Sequence, residues 1–76
     1  MSLFKIIKQR RVTLQITQAD LAEMAEVSLA TIKDIERGKS NPSLKTIEKI
    51  IDTLGLEMTF RLRGSNNIYS PANIKS

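Results

Sequence analysis

Apolar residues recur at helical spacing over the first 54 positions of the chain, and this pattern predicts four helices. The first helix is predicted from Ser2 to Leu14, with Leu3, Ile7 and Leu14 on its inward side, Val12 as a further candidate there, and Ser2 as its N-cap. Phe4 and Ile6 lie off this stripe. They either complete the core or contact a partner.

The second and third helices are short, and the tight turn Glu26-Val27 separates them. The second is predicted from Gln18 to about Ala25, and Thr17 and Asp20 at its start have the spacing of a capping box. The third begins at its N-cap, Ser28, and extends to about Arg37. The inward apolar residues of the two helices are Leu21, Ala22, Ala25, Ile32 and Ile35.

Glycine and proline mark the ends of the remaining elements. Gly38 can adopt the left-handed conformation that ends the third helix. Helix is disfavoured immediately before Pro42, so the fourth helix is predicted from about Ser43 to Leu54, where Gly55 ends it. Its predicted core residues are Leu44, Ile47, Ile50, Ile51 and Leu54.

After Gly55 the period changes from helical to alternating, which predicts one β-strand over residues 56–63. The apolar members of the pattern are Leu56, Met58, Phe60 and Leu62. No second strand is evident, so we expect the strand to pair with its equivalent in a second copy and form a dimer. The chain then divides into a helical domain, 1–55, a dimerisation strand, 56–63, and a polar tail, 64–76.

Composition narrows the chemistry that the chain can perform. It contains no Cys and no His, so we expect no disulfide, no metal, no cofactor and no imidazole base. A formal charge of +4 favours a polyanionic partner. Neither a membrane-spanning run nor a signal-peptide pattern is evident, and we expect a cytoplasmic location with no membrane partner.

The second and third helices form a candidate helix-turn-helix unit. Ala22 is small where the helices approach each other, Val27 fills the turn, and Ile32 and Ile35 anchor the third helix. The outer face of that helix could then enter the major groove of DNA. It carries Leu29, Ala30, Thr31, Lys33 and Asp34. An αα-hairpin with no DNA-binding role is the alternative.

The segment from about Phe4 to Leu54 resembles the lambda-repressor-like family, also called the Xre or Cro-type family. The resemblance implies an all-α bundle of four helices, here followed by one short C-terminal β-strand. It also implies a homodimeric repressor of double-stranded operator DNA. The residues that carry it are Arg11, Ile16 to Ala22, Val27-Ser28, Ile32, Ile35 to Gly38 and Asn41 to Leu44.

The family's DNA-contacting positions can be placed on this chain. Backbone-contacting positions match Thr17, Gln18, Lys39, Ser40 and Asn41. Base-reading and groove-wall positions match Ser28, Leu29, Ala30, Thr31 and Lys33. Two alternatives stay open, because Leu29 could pack against Met24 and Lys33 could be a solvated helix residue.

This chain departs from the family at two places. Gln15 stands where many relatives have glycine, which predicts a strained or reshaped turn. Leu29 and Ala30 can touch thymine methyl groups but form no bidentate hydrogen bonds with bases. Specificity would then rest on Thr31, Lys33 and DNA shape.

Charged side chains elsewhere predict structure rather than catalysis. The resemblance pairs Arg11 with Glu36 as a partly buried ion pair that ties the first helix to the third. Glu48 and Asp52 lie four residues apart, but with no base, metal partner or phosphate-binding loop they favour a solvated face. We therefore expect no enzymatic activity.

The ending from Leu54 to Arg63 resembles that of the HipB-like antitoxins. In that family the strands pair across the dimer axis, and the dimer represses its own operon and binds a HipA-like serine/threonine kinase toxin. A plain Xre-type or phage-type repressor with the same dimer strand and no toxin partner is the alternative.

Overall fold

The structure is a computed structural model, and it describes residues 2–64 and 66–69 of the chain. The four predicted helices are confirmed, and their ends differ from the predicted ones by no more than the capping residues. None of the helices in the described ranges is both long and apolar enough to cross a membrane. In chain order the elements are α1 Leu3–Thr13, α2 Gln18–Ala25, α3 Leu29–Glu36, α4 Leu44–Thr53, β1 Phe60–Arg61 and β2 Ile68–Tyr69.

Each helix begins after a hydroxyl residue whose Oγ accepts a hydrogen bond from the backbone N–H three residues later. These N-caps are Ser2, Thr17, Ser28 and Ser43. At α2 the capping box is complete, because the Asp20 carboxylate accepts from the Thr17 N–H at 3.0 Å. A first-turn N–H that the helix itself leaves without a partner is thereby satisfied at every start.

The core is aliphatic and lies between the four helices. α2 contacts both α3 and α4, and α1 packs on α3. Arg10 Nε donates to the Leu54 carbonyl oxygen at 2.8 Å, which ties the end of α4 to α1. The buried side chains are Ile7, Leu21, Ala22, Ala25, Ile32, Ile35, Ile47, Ile50, Ile51 and Leu54.

Three leucines predicted in the core are exposed. Leu3, Leu14 and Leu44 retain 36%, 40% and 53% of their accessible surface, and Val12, the further candidate in the last turn of α1, retains 57%. Each lies at the end of a helix, where the helical period continues but fewer neighbouring elements cover the side chain. Of the two off-stripe residues, Phe4 packs against the core, while Ile6 is 36% exposed.

The prediction of a lone C-terminal strand is wrong. β1 pairs antiparallel with β2, with Phe60 opposite Tyr69 and Arg61 opposite Ile68. β2 was missed because a strand of two residues is too short to show an alternating pattern. It lies within the predicted polar tail, 64–76, of which residues 65 and 70–76 are outside the described ranges.

The predicted dimerisation residues separate into two groups. Leu56 and Met58 are half-buried and pack against the helical core of their own chain. Phe60 and Leu62 are 46% and 58% exposed. Of the four residues, Phe60 and Leu62 are therefore the ones that leave about half of their surface uncovered by their own chain.

Candidate nucleic-acid interface

The turn between α2 and α3 is tightly closed. Its first residue, Glu26, has a left-handed backbone with φ 57° and ψ 44°. The Val27 N–H donates to the Ala22 carbonyl oxygen at 3.0 Å, and Ala22 is only 5% exposed where the two helices meet. These contacts hold α3 in a set orientation across α2.

α3 is anchored on one side and open on the other. Ile32 and Ile35 are both fully buried. The opposite face is exposed at Ser28, Leu29, Ala30 and Lys33 and half-exposed at Thr31 and Asp34. The residues predicted to meet bases therefore share one accessible surface, which we call the α3 face.

Several polar side chains on the α3 face already form hydrogen bonds or ion pairs with neighbouring residues of the same chain. Ser28 Oγ accepts from the Thr31 N–H at 3.0 Å and lies 2.7 Å from Thr31 Oγ1. The Asp34 carboxylate forms an exposed ion pair with Arg37. The ammonium of Lys33, one turn beyond Leu29, is exposed.

A partly buried ion pair connects α1 to α3. Arg11 donates from Nε to Glu36 Oε2 at 2.7 Å and from a second nitrogen to Glu36 Oε1 at 2.9 Å. The Arg11 and Glu36 side chains are 12% and 3% exposed. The Glu36 hydrogen bonds raise the pKa of Arg11 above its ordinary value, so the guanidinium is charged. The pair joins α1 to the end of α3, as the resemblance implied.

Gln18 belongs to the same network, which the sequence did not predict. Its Nε2 donates to Glu36 Oε1 at 3.2 Å, and Arg11 also donates to the Ile16 carbonyl oxygen at 2.9 Å. The start of α2 is thus bound to the end of α3. No local pattern joins positions 18 and 36, so only the fold reveals this contact.

The predicted backbone-contacting residues lie at the two ends of the helix-turn-helix. Thr17 is exposed at the start of α2. Lys39 and Asn41 are exposed in the loop that follows α3, and the Lys39 N–H donates to the Asp34 carbonyl oxygen at 2.9 Å. Ser40 differs, because its Oγ is buried without a hydrogen-bond partner.

The described surface outside the helix-turn-helix offers few features of a binding or catalytic site. A groove of about 560 Å³ runs along α1 and is lined by Lys5, Lys8, Gln9, Val12 and Thr13. Within the described ranges, no group of three or more Asp or Glu residues could hold a metal ion. The helix-turn-helix is therefore the best-built candidate site.

Comparison with known protein families agrees with this geometry. A family model described as Helix-turn-helix matches residues 7–60, which include all four helices from Ile7 onward. The chain belongs to the helix-turn-helix family. The lambda-repressor-like resemblance found in the sequence is confirmed, whereas the HipB-like resemblance of the ending stays a prediction.

Helix-turn-helix relatives occur in phage, bacteria and archaea. The chain is 42% identical over 53 residues to the immunity repressor of Bacillus phage phi105, covering 70% of this chain and 37% of the repressor. It is 31% identical over 64 residues to the regulator DdrOP3 of Deinococcus deserti, covering 84% and 50%. An uncharacterized regulator of Methanocaldococcus jannaschii, MJ0272, is 42% identical over 52 residues, covering 68% and 79%.

The chain thus spans about a third to a half of the length of the first two relatives. Among solved structures, it is similar to a mutant of the restriction-modification controller protein C.Esp1396I, with a TM-score of 0.67 and 32% identity. That match covers 70% of this chain and 69% of the controller. These proteins are regulators and repressors, so the chain carries a helix-turn-helix domain of the kind found in transcriptional regulators.

Proposed function

We propose that the chain is a transcriptional repressor that binds double-stranded operator DNA as a homodimer. The observation that carries the proposal is the α3 face, an accessible surface on a helix whose other side is anchored by buried Ile32 and Ile35. A helix presented in this way fits the major groove with its N-terminal residues at the base edges.

Phosphate contacts would come from the two ends of the helix-turn-helix. Lys39 and Asn41 extend from the loop after α3, and the start of α2 offers backbone N–H groups beside Thr17. A formal charge of +4 adds a general attraction to DNA. Binding of this kind releases counterions and therefore weakens as salt concentration rises.

The salt dependence of binding tests this function. The full chain is titrated against the duplex upstream of its own gene and against duplexes selected from a random pool. Lys39→Ala should reduce the slope of log K against log salt by about one, since one phosphate contact is lost. The matched control is Lys49→Ala, an exposed lysine beyond the first turn of α4, which should leave the slope unchanged.

Two results contradict the function. One is the absence of binding to any duplex, and the other is an affinity that does not depend on salt.

For the dimer, we propose pairing along the outer edge of β1. In the two-stranded sheet each strand has one edge that faces no other strand of the described residues. The apolar side chains of the sheet, Phe60, Ile68 and Tyr69, and of Leu62 directly after β1 are between 40% and 64% exposed. A two-stranded hairpin is marginally stable in water, and a symmetry-related hairpin would extend it to four strands.

Charge and hydrophobicity favour two registers for this pairing, centred on Thr59 or on Phe60, and we propose the one centred on Phe60. An antiparallel pair centred on Phe60 places Met58 opposite the partner's Leu62 and Glu57 opposite the partner's Arg63. A register centred on Arg61 would oppose two arginines. A shift that pairs Phe60 with the partner's Arg61 would oppose apolar and charged side chains.

A charge swap tests the register by sedimentation equilibrium. Glu57→Arg alone should weaken dimerisation several-fold, because symmetry creates two like-charged pairs, each worth about 0.2–1 kcal/mol. Adding Arg63→Glu should restore the dimer. A monomer at every concentration contradicts the dimer proposal, and rescue by Arg61→Glu instead would move the axis to Thr59 and contradict the register.

An antitoxin role is the second candidate, favoured by the resemblance of the ending to HipB-like proteins. The pairing of β1 with β2 removes one reason for it, since the strand does not lack a partner within the chain. The role requires a kinase-like gene beside the gene for this chain and co-elution of the two products. An unrelated neighbouring gene would contradict the antitoxin role and leave a repressor without a toxin partner as the proposed function.

A further inference from the structure

The first turn of α3 presents a hydrocarbon surface. Leu29 is 38% exposed and Ala30 is exposed beside it. The flanking hydroxyls of Ser28 and Thr31 lie 2.7 Å apart and bond to each other. One of the two hydroxyl hydrogens is used in this bond, and the other can be donated to an acceptor on more than one kind of base. The hydroxyl pair therefore discriminates weakly between bases.

The major groove contains a single hydrocarbon group on a base edge, the C5-methyl of thymine. The other edges present hydrogen-bonding atoms, which an apolar side chain would desolvate without replacing the lost bond. We propose that Leu29 and Ala30 read thymine methyl groups, so that a preferred duplex carries thymine where α3 begins. This inference rests on the proposed function and identifies the base that its site selects.

The hydrogen bond between Ser28 and Thr31 also changes which residues we expect to set specificity. The sequence placed the selectivity on Thr31 and Lys33, but Thr31 Oγ1 is engaged by Ser28. Lys33 lies four residues beyond Leu29 on the same side of the helix, so it can contact a neighbouring base or phosphate. Leu29 therefore becomes the residue whose substitution should alter base preference.

Deoxyuridine isolates the methyl contact, because dU differs from dT only in lacking the C5-methyl. A duplex selected from a random 30-base-pair pool with the full chain is resynthesised with each dT replaced in turn by dU. At one or two positions in each half-site the replacement should weaken binding about fourfold, the effect of exposing one buried methyl. Elsewhere it should have no effect.

Two variants complete a double-mutant cycle. Leu29→Ala should bind the dT and dU duplexes equally at one sensitive position, because the side chain that contacts that methyl is shortened; a second sensitive position, read by Ala30, should keep its preference. The control, Lys33→Ala, should weaken binding to both duplexes by the same factor and leave the dT preference intact.

The inference is overturned if the wild-type chain binds every dU duplex as tightly as the dT duplex. It is also overturned if Leu29→Ala keeps the full preference at every sensitive position, or if the selected sequences carry no thymine. Failure to bind any duplex would contradict the proposed function itself, so the two failures are distinguishable.

Discussion

At the scale of single residues, two side chains occupy backbone conformations that suit glycine. Gln15 has a φ of 59° and Glu26 a φ of 57°. A side chain in the left-handed region costs about 1 kcal/mol, because its Cβ approaches the following carbonyl oxygen. The strain at Gln15 was predicted from the sequence, whereas that at Glu26 was not.

Replacing either residue with glycine should stabilise the fold. We expect Gln15→Gly and Glu26→Gly each to raise the free energy of unfolding by about 0.5 kcal/mol. This is the backbone strain that is relieved, minus the stabilisation that the unfolded chain gains from the greater conformational entropy of glycine. Gln9→Gly within α1 is the control and should lower it by about 1 kcal/mol. Urea denaturation measures all three, and equal destabilisation by Gln15→Gly and Gln9→Gly would contradict the strain.

The buried ion pair should matter far more than the exposed one. Glu36→Ala leaves the Arg11 guanidinium, whose side chain is only 12% exposed in the intact pair, charged and without its partner, and we expect a loss of about 3 kcal/mol in unfolding free energy. Asp34→Ala removes an ion pair whose side chains are 59% and 44% exposed, and should cost less than about 1 kcal/mol. Similar losses in the two variants would argue against the network.

At the scale of elements, the helices were predictable and the second strand was not. Every helix start depends on a bond between residues three apart, such as Ser28 Oγ with the Thr31 N–H, and a local pattern records it. β2 depends on pairing with β1, whose residues lie seven and nine positions earlier in the chain, and a strand of two residues shows no period. The Gln18 contact with Glu36 was likewise invisible, because tertiary packing alone brings the two together.

The capping box at α2 should make stability depend on acid. Hydrogen bonds from the Thr17 backbone N–H, and then from its hydroxyl, hold the pKa of Asp20 below its ordinary value of 3.8. Its stabilising contribution is present above that ordinary value and is lost as the pH falls through the lower, folded-state pKa.

Asp20→Asn should therefore flatten the fall in unfolding free energy over this acidic range, measured by urea denaturation at a series of pH values. The control, Glu23→Gln, removes a carboxylate from the same helix that takes no part in the capping box. An Asp20→Asn profile identical to that of the wild type would contradict the assignment.

At the scale of the whole molecule, one small aliphatic core supports both the α3 face and the hairpin. A domain of this size has limited stability of its own, so association should contribute to it. Leu56 and Met58 cover the core, whereas Phe60 and Leu62 are exposed. The alternating pattern alone did not predict this difference. All four residues occupy the apolar positions of one alternating pattern, and only the folded backbone shows which of them reach the core.

The melting temperature should consequently rise with protein concentration, because the proposed dimer would stabilise the folded state by mass action. Phe60→Asp should abolish this concentration dependence, since it places two carboxylates at the proposed axis. Thr53→Asp, at the end of α4 and outside the hairpin, should retain it. A melting temperature independent of concentration in the wild type would contradict a stabilising dimer.

The most direct test of the DNA-binding assignment is to map amide chemical shifts of the full chain by NMR while a selected duplex is added. The largest changes should fall on residues 28–33, with further changes at residues 17–18 and 39–41. Changes confined to α1 or to the hairpin, with residues 28–33 unaffected, would show that α3 does not meet the bases.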